Sequence, residues 1–270
     1  MKRIVAFLFL MVLLCGCGGR PAGGVAATTG TVACFAEAIA AGTDVPVTAV
    51  ISDAVSCLHD YSLSVRQMQT LETSDLVLIS GAGLEDFMAD VLPADAVDCS
   101  RGTERIDGDP HYWLDPDNAA RMAENICDAM SAQYPDCAQQ FAENTAIVLS
   151  RLESMKQWGQ ETLLELNCRE IITFHDGFSY LADAFELEIL AAVEEESGSE
   201  ASAADLTEII DLVEAHSLPC VFTEVNGSTA AASVITAETG VSSYALDMAM
   251  GQDYFDAMEH NITTLKEALQ

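Results

Sequence analysis

Short apolar runs alternate with amphipathic stretches along most of this chain. Leu76 to Ser80 reads Leu-Val-Leu-Ile-Ser and runs into Gly81-Ala82-Gly83, with a helical pattern following from Leu84. Ile171 to Phe174 runs into His175-Asp176-Gly177, and Phe178 to Phe185 then reads as helix. Cys220 to Glu224 runs into Asn226-Gly227-Ser228, followed by the alanine-rich Thr229 to Thr239. Apolar runs of this length without polar alternation suit strands buried on both faces. Their alternation with helices predicts parallel sheets in an α/β fold. Ligands in such folds collect beyond the carboxyl ends of the strands, so the loops after these runs are where chemistry is expected.

The helices carry their own punctuation. Asp115-Pro116-Asp117 is a helix start, with Asp115 as cap, Pro116 at the first helical position and Asp117 favouring the dipole. Ser202-Ala-Ala-Asp205 resembles a capping box for an amphipathic helix that ends near His216. From Asp136 to Leu166 there is no proline, and Gly159 is the single glycine. Phe141, Ile147, Val148, Leu152, Met155, Leu163 and Leu164 fall there at mostly helical spacing, which predicts one long helix over 136–166. It divides the chain into an N-terminal α/β lobe, 31–135, and a C-terminal α/β lobe, 167–270. The expected architecture is two lobes, each a mostly parallel sheet with flanking helices, bridged by that helix.

The first residues follow a different logic. Lys2 and Arg3 precede an apolar run from Ile4 to Leu14, too short to span a bilayer as a helix and suited to a signal peptide. It ends in Leu14-Cys15-Gly16-Cys17, which resembles a bacterial lipobox over 1–17, with Cys17 the expected lipidation site because Gly16 precedes it. Residues 18–30, rich in Gly, Ala and Thr, read as a flexible tether. The expected location is therefore extracytoplasmic, with a lipid anchor holding the protein to the membrane.

Charge narrows the partners. The chain has 11 basic and 43 acidic residues, a surface that repels nucleic acid and anionic lipid. Half the residues are hydrophobic, so the acidity belongs to a folded protein rather than a disordered one. Glu194-Glu195-Glu196 is read as a solvated loop rather than a metal site. Past the lipobox, Cys34, Cys57, Cys99, Cys127, Cys137, Cys168 and Cys220 remain, an odd number without Cys-x-x-Cys spacing. Disulfides among them cannot be paired from spacing.

Three of the five histidines lie where strands are expected to run out into loops: His59 in Ser-Cys-Leu-His-Asp-Tyr, His111 in Asp-Pro-His-Tyr-Trp-Leu-Asp-Pro, and His175 in Thr-Phe-His-Asp-Gly-Phe. Neutral imidazole is the commonest protein metal ligand, and ligands gathered from distant loops suit a transition-metal site, with zinc the first candidate. His59 and His111 come from one lobe and His175 from the other, so the site is expected in the cleft between them. His216 and His260 lie on helices and are expected to be exposed. Nothing resembles the His-Glu-x-x-His of a zinc hydrolase, and no nucleophile–base pair stands out, so a binding protein is expected rather than an enzyme.

These residues resemble a known family. Gly81-Ala82-Gly83-Leu84-Glu85, Asp109-Pro110-His111-Tyr112-Trp113-Leu114-Asp115-Pro116, Phe174-His175-Asp176-Gly177-Phe178 and Phe222-Thr223-Glu224 occur in the order seen in metal-binding lipoproteins of zinc and manganese ABC importers, the cluster A-I solute-binding proteins. The resemblance covers nearly everything after the tether. It implies two lobes with metal between them, ligands at His59, His111, His175 and Asp247, a monomer, and an ABC permease as partner. It also implies Zn²⁺ as cargo, because members with histidine at the third position take zinc and those with glutamate take manganese. The alternatives are a manganese- or iron-binding importer subunit, or a metal-binding adhesin of the same fold. Two departures stand out. The segment Asp98 to Asp109 lacks the long histidine-rich loop of many zinc members, and Cys57 lies two residues before His59 while Cys34 is expected near the end of the first strand, where either could approach the metal. The fourth ligand stays open among Asp247, water and Cys57, and Asp60, Glu85, Asp115 and Asp176 are candidates to orient the histidines.

Overall fold

The computed structural model describes residues 23–52, 58, 61–106, 108–194, 201–251 and 253–270. Cys17, Cys57, His59, Asp60 and most of the Glu194–Glu196 run lie outside the described residues.

Two four-stranded sheets form, and every strand pairing in them is parallel. The first has the order β2-β1-β3-β4, with β1 Val25–Ala27, β2 Val47–Ala49, β3 Leu76–Ile79 and β4 Val97–Asp98. The second has the order β6-β5-β7-β8, with β5 Glu170–His175, β6 Glu188–Glu194, β7 Cys220–Glu224 and β8 Ser242–Leu246. In each sheet the first strand lies inside, its successor on one side and the next strand on the other. That reversal makes a switch point between β1 and β3, and another between β5 and β7.

The flanking helices are α1 Gly30–Ala40, α2 Val65–Thr73, α3 Pro116–Gln133, α4 Ala138–Thr162, α5 Ser179–Ala184, α6 Ala203–His216, α7 Ala230–Thr239 and α8 Tyr254–Leu269. Asp115 caps α3 by accepting from the Asp117 N–H, with Pro116 at the first position, and Ser202 with Asp205 forms the capping box of α6. The linking helix α4 turns Phe141, Thr145, Val148, Leu152, Met155 and Gly159 inward, a stripe repeating every three or four residues. Ile147 and Leu164 are exposed: the first lies a third of a turn off this stripe, and the second falls beyond the helix end.

Three expectations need correction. Residues 18–30 have the composition of a tether, yet Val25–Ala27 is the fully buried inner strand β1. Its small side chains let α1 lie close, and three residues are too few to declare a strand by pattern. Thr31 to Phe35 belongs to α1, so Cys34 is one turn into a helix and not at a strand end; its thiol lies against the Tyr254 backbone. After β3, Asp86–Val91 forms 3-10 turns interrupted at Met88 rather than an α-helix. Pro93 stops that segment before it could extend, and short helices are poorly nucleated.

The two lobes share one core. Strand alternation in the second sheet turns Val221 toward α6 and α7 and Cys220 and Phe222 toward the interior common to both lobes. There Phe35 of α1 packs 4.9 Å, centroid to centroid, from Tyr254 of α8. Gly159 lets the long helix press on the other lobe, because a Cβ there would run into the Phe185 ring and come 2.9 Å from Ile262 Cδ1. Rotation of one lobe against the other therefore exposes apolar surface, which opposes a wide hinge motion.

Candidate metal centre

His111 lies in the loop between β4 and α3 and is buried. Asp109, two residues earlier, fixes it twice: Asp109 Oδ1 accepts from the His111 backbone N–H at 2.9 Å and lies 2.9 Å from His111 Nδ1. With a carboxylate on Nδ1, the proton belongs there, and Nε2 keeps its lone pair for a metal. The next three residues, Tyr112 to Leu114, form a fully buried 3-10 turn that anchors the loop to both lobes. Tyr112 Oη donates to Ser80 O at 2.6 Å, Trp113 Nε1 donates to Met248 O at 2.9 Å, and Tyr254 Oη donates to Trp113 O at 2.9 Å. Tyr180 of α5 adds a clamp from the far lobe, its hydroxyl accepting from Ile106 N and donating to Asp109 O.

His175 is the last residue of β5, at the switch point of the second sheet. Its ring centroid is 5.2 Å from that of His111, edge to face at 79°. Its Nδ1 is 3.6 Å from Glu224 Oε2, at the end of the neighbouring strand β7; the Glu224 side chain is buried and that of His175 is partly so. Gly177 makes the approach of the two rings possible. A Cβ at this residue would come 2.6 Å from His175 Cδ2, 2.7 Å from His111 Nδ1 and 2.7 Å from Met248 Cε.

Asp247 follows β8 on the segment that touches both histidine loops through Met248. Its backbone is held at both ends by buried Asn261: Asp247 N donates to Asn261 Oδ1, and Asn261 Nδ2 donates to Asp247 O, each at 2.7 Å. Asp247 Oδ1 accepts from Ala249 N at 2.8 Å, and Ala249 takes a left-handed φ of 53°. Thr31 Oγ1 donates to Ala249 O, tying this strap to α1.

The structure thus brings together His111 and His175 and runs the Asp247 segment beside them. Among the described residues no group of three or more His, Cys, Asp or Glu side chains is arranged to hold a metal, and His59 is not one of them. Of the four anticipated orienting carboxylates, two are engaged elsewhere. Glu85 instead knits the first switch point, accepting from Thr28 Oγ1, Ser80 N and Gly81 N, and burial pushes its pKa up. Asp115 is spent on capping α3. Asp109 stands behind the His111 ring, and Glu224 is the carboxylate near His175; the Asp-Pro-His spacing was the available signal for Asp109, and the strand end for Glu224. His216 and His260 are exposed and bonded elsewhere, to Glu170 Oε2 and Ala245 O. Cys34, Cys99, Cys127, Cys137, Cys168 and Cys220 are free thiols.

Comparison with known proteins follows the same lines. The family described as ZnuA, zinc-uptake complex component A, periplasmic, matches residues 25–268. The chain belongs to this family. The solved structure described as ZnuA superposes with a TM-score of 0.82 at 25% identity, covering 92% of this chain and all of that one. The zinc-binding lipoprotein AdcA of Streptococcus pneumoniae is 29% identical over 218 residues, 76% of this chain and 42% of AdcA. This chain therefore spans about two fifths of that relative's length. The manganese-binding lipoprotein MntA of Halalkalibacterium halodurans is 24% identical over 231 residues, 78% of this chain and 77% of MntA. As a member of the zinc-uptake family, the chain has the family's two parallel-sheet lobes, and no described helix is long and apolar enough to cross a membrane.

Proposed function

We propose that this protein is an extracytoplasmic receptor that takes Zn²⁺ into the cleft between its lobes and delivers it to an ABC permease. The observation that carries the reading is the meeting of His111 and His175, one from each lobe, at 5.2 Å between ring centroids. His111, His175, His59 and Asp247 are the ligands in this reading. Three neutral imidazoles and one carboxylate make a closed tetrahedral shell with bonds of about 2.0–2.2 Å, a binding site rather than a catalytic one with a coordination position left for water. Protons compete for the imidazole nitrogens, so affinity falls in acid. Anchoring through lipidated Cys17 belongs to the same proposal and predicts that Cys17→Ala releases the protein from membranes.

The manganese reading has a specific relative behind it, and donor softness opposes it: imidazoles suit zinc, while manganese sites favour more carboxylate. The test is calorimetric titration of the metal-stripped, reduced chain with Zn²⁺ and with Mn²⁺. One-to-one zinc binding, with manganese much weaker and with loss of zinc binding in His111→Ala and His175→Ala, is the expected result. Preference for manganese overturns the cargo, and unchanged zinc binding in both variants overturns the site.

A further inference from the structure

Each cleft histidine has a carboxylate near its Nδ1. In the first lobe Asp109 lies 2.9 Å from His111 Nδ1, and in the second Glu224 lies 3.6 Å from His175 Nδ1. The second placement follows from strand register. Thr173 of β5 pairs with Phe222 of β7, so two residues further on His175 and Glu224 lie side by side in the same row of a parallel sheet. Glu224 is 8% exposed, and a buried carboxylate is kept in place by polar partners, of which His175 is one. At 3.6 Å the contact is longer than a hydrogen bond, and closing it takes a shift of about 0.7 Å.

We propose that Glu224 is the positioning residue of His175: it holds the imidazole proton on Nδ1, so that Nε2 faces the cleft and meets the metal as that of His111 does. The inference rests on His175 being a ligand. Asp109 and Glu224 then form a matched pair, one behind each lobe's histidine, and each histidine arrives with its tautomer and ring direction already set. A carboxylate behind an imidazole also makes it a better donor to a dication. Glu224 acts through His175 and does not itself touch metal.

The test begins on the metal-free, ¹⁵N-labelled full chain, reading histidine tautomers by two-bond ¹H–¹⁵N NMR. Wild-type His175 is expected to carry its proton on Nδ1. Glu224→Gln, whose amide oxygen still accepts, is expected to keep that tautomer, and Glu224→Ala to shift His175 toward the Nε2–H form. A His175 tautomer unchanged in Glu224→Ala, or an Nε2–H form already in the wild type, overturns the assignment. Where Glu224→Ala does not fold, Glu224→Met fills similar volume without an acceptor and carries the same prediction. Zinc titration of the same proteins is expected to show affinity about 10–100-fold weaker for Glu224→Ala, with a smaller loss for Glu224→Gln. A loss as complete as that of His175→Ala makes Glu224 a ligand and overturns the positioning role, as does no loss at all. If wild-type protein takes up no zinc, the receptor reading fails by itself, and the tautomer result still decides what Glu224 does.

Discussion

Gly177→Ala adds one methyl group where the two lobes meet. The backbone of Gly177 is not in the left-handed region, so the consequence lies in space and not in φ. The new Cβ would come 2.6 Å from His175 Cδ2 and 2.7 Å from both His111 Nδ1 and Met248 Cε, against an ordinary contact of 3.4 Å or more. Each neighbour must withdraw by 0.7–0.8 Å, the difference between those distances. The Met248 methyl can swing aside. His111 cannot do so cheaply, because Asp109 holds it from behind and Trp113 fixes the next turn. Overpacking of this kind costs about 1–3 kcal/mol in fold stability. Ligands displaced beyond about 0.5 Å also leave productive metal geometry. We expect zinc affinity to fall about 10–100-fold, or about 1.4–2.7 kcal/mol. The assay pairs thermal unfolding of the metal-free protein with zinc titration against a chromophoric chelator. Wild-type zinc affinity together with a wild-type Tm would refute the account of Gly177 as the residue that lets the rings approach.

Two further expectations come from groups away from the metal. Burial raises the Glu85 pKa, so the folded protein binds that proton more tightly than the unfolded chain does. Its contribution is therefore most favourable in acid and is lost as pH rises from the unfolded carboxylate value through the raised folded one. The Tm advantage of wild type over Glu85→Gln should shrink as pH rises above the unfolded carboxylate value of about 4.3, and an advantage that grows instead refutes the direction. Among the thiols, Cys99 is fully buried with its pKa pushed well up, and burial raises that of Cys220 to about 12. Thiolate is the reactive form, so brief iodoacetamide treatment of native protein should label the half-buried Cys127 and Cys137 ahead of Cys99 and Cys220. Peptide mass spectrometry showing early labelling of Cys99 or Cys220 would contradict this.

Much of the architecture was legible because it rests on local pattern. The apolar runs at Leu76, Ile171 and Cys220 are β3, β5 and β7, and the caps at Asp115 and Ser202 start α3 and α6 where turn chemistry says they should. Strand β1 escaped because Val-Ala-Ala among glycines carries too little side-chain signal, although burial on both faces makes it an inner strand. The 3-10 turns at Asp86–Val91 escaped because their apolar spacing mimics a helix that Pro93 leaves no room to build.

Composition and motif order were enough to identify the two-lobed α/β family, the segments that carry His111 and His175, and the large excess of acidic residues. Those properties depend on residue type and near-neighbour spacing, which a linear chain displays. Which carboxylate stands behind which imidazole is another matter. Asp109 and Glu85 both lie in recognisable motifs, yet one turns to His111 and the other to Thr28 and the backbone at Ser80. Glu224 reaches His175 across 49 residues because parallel strands β5 and β7 share a register. Gly177 is needed because three side chains from three segments converge on one point. Contacts of this kind are set by how the sheets and helices pack, and they exist only once both lobes have closed on a common core.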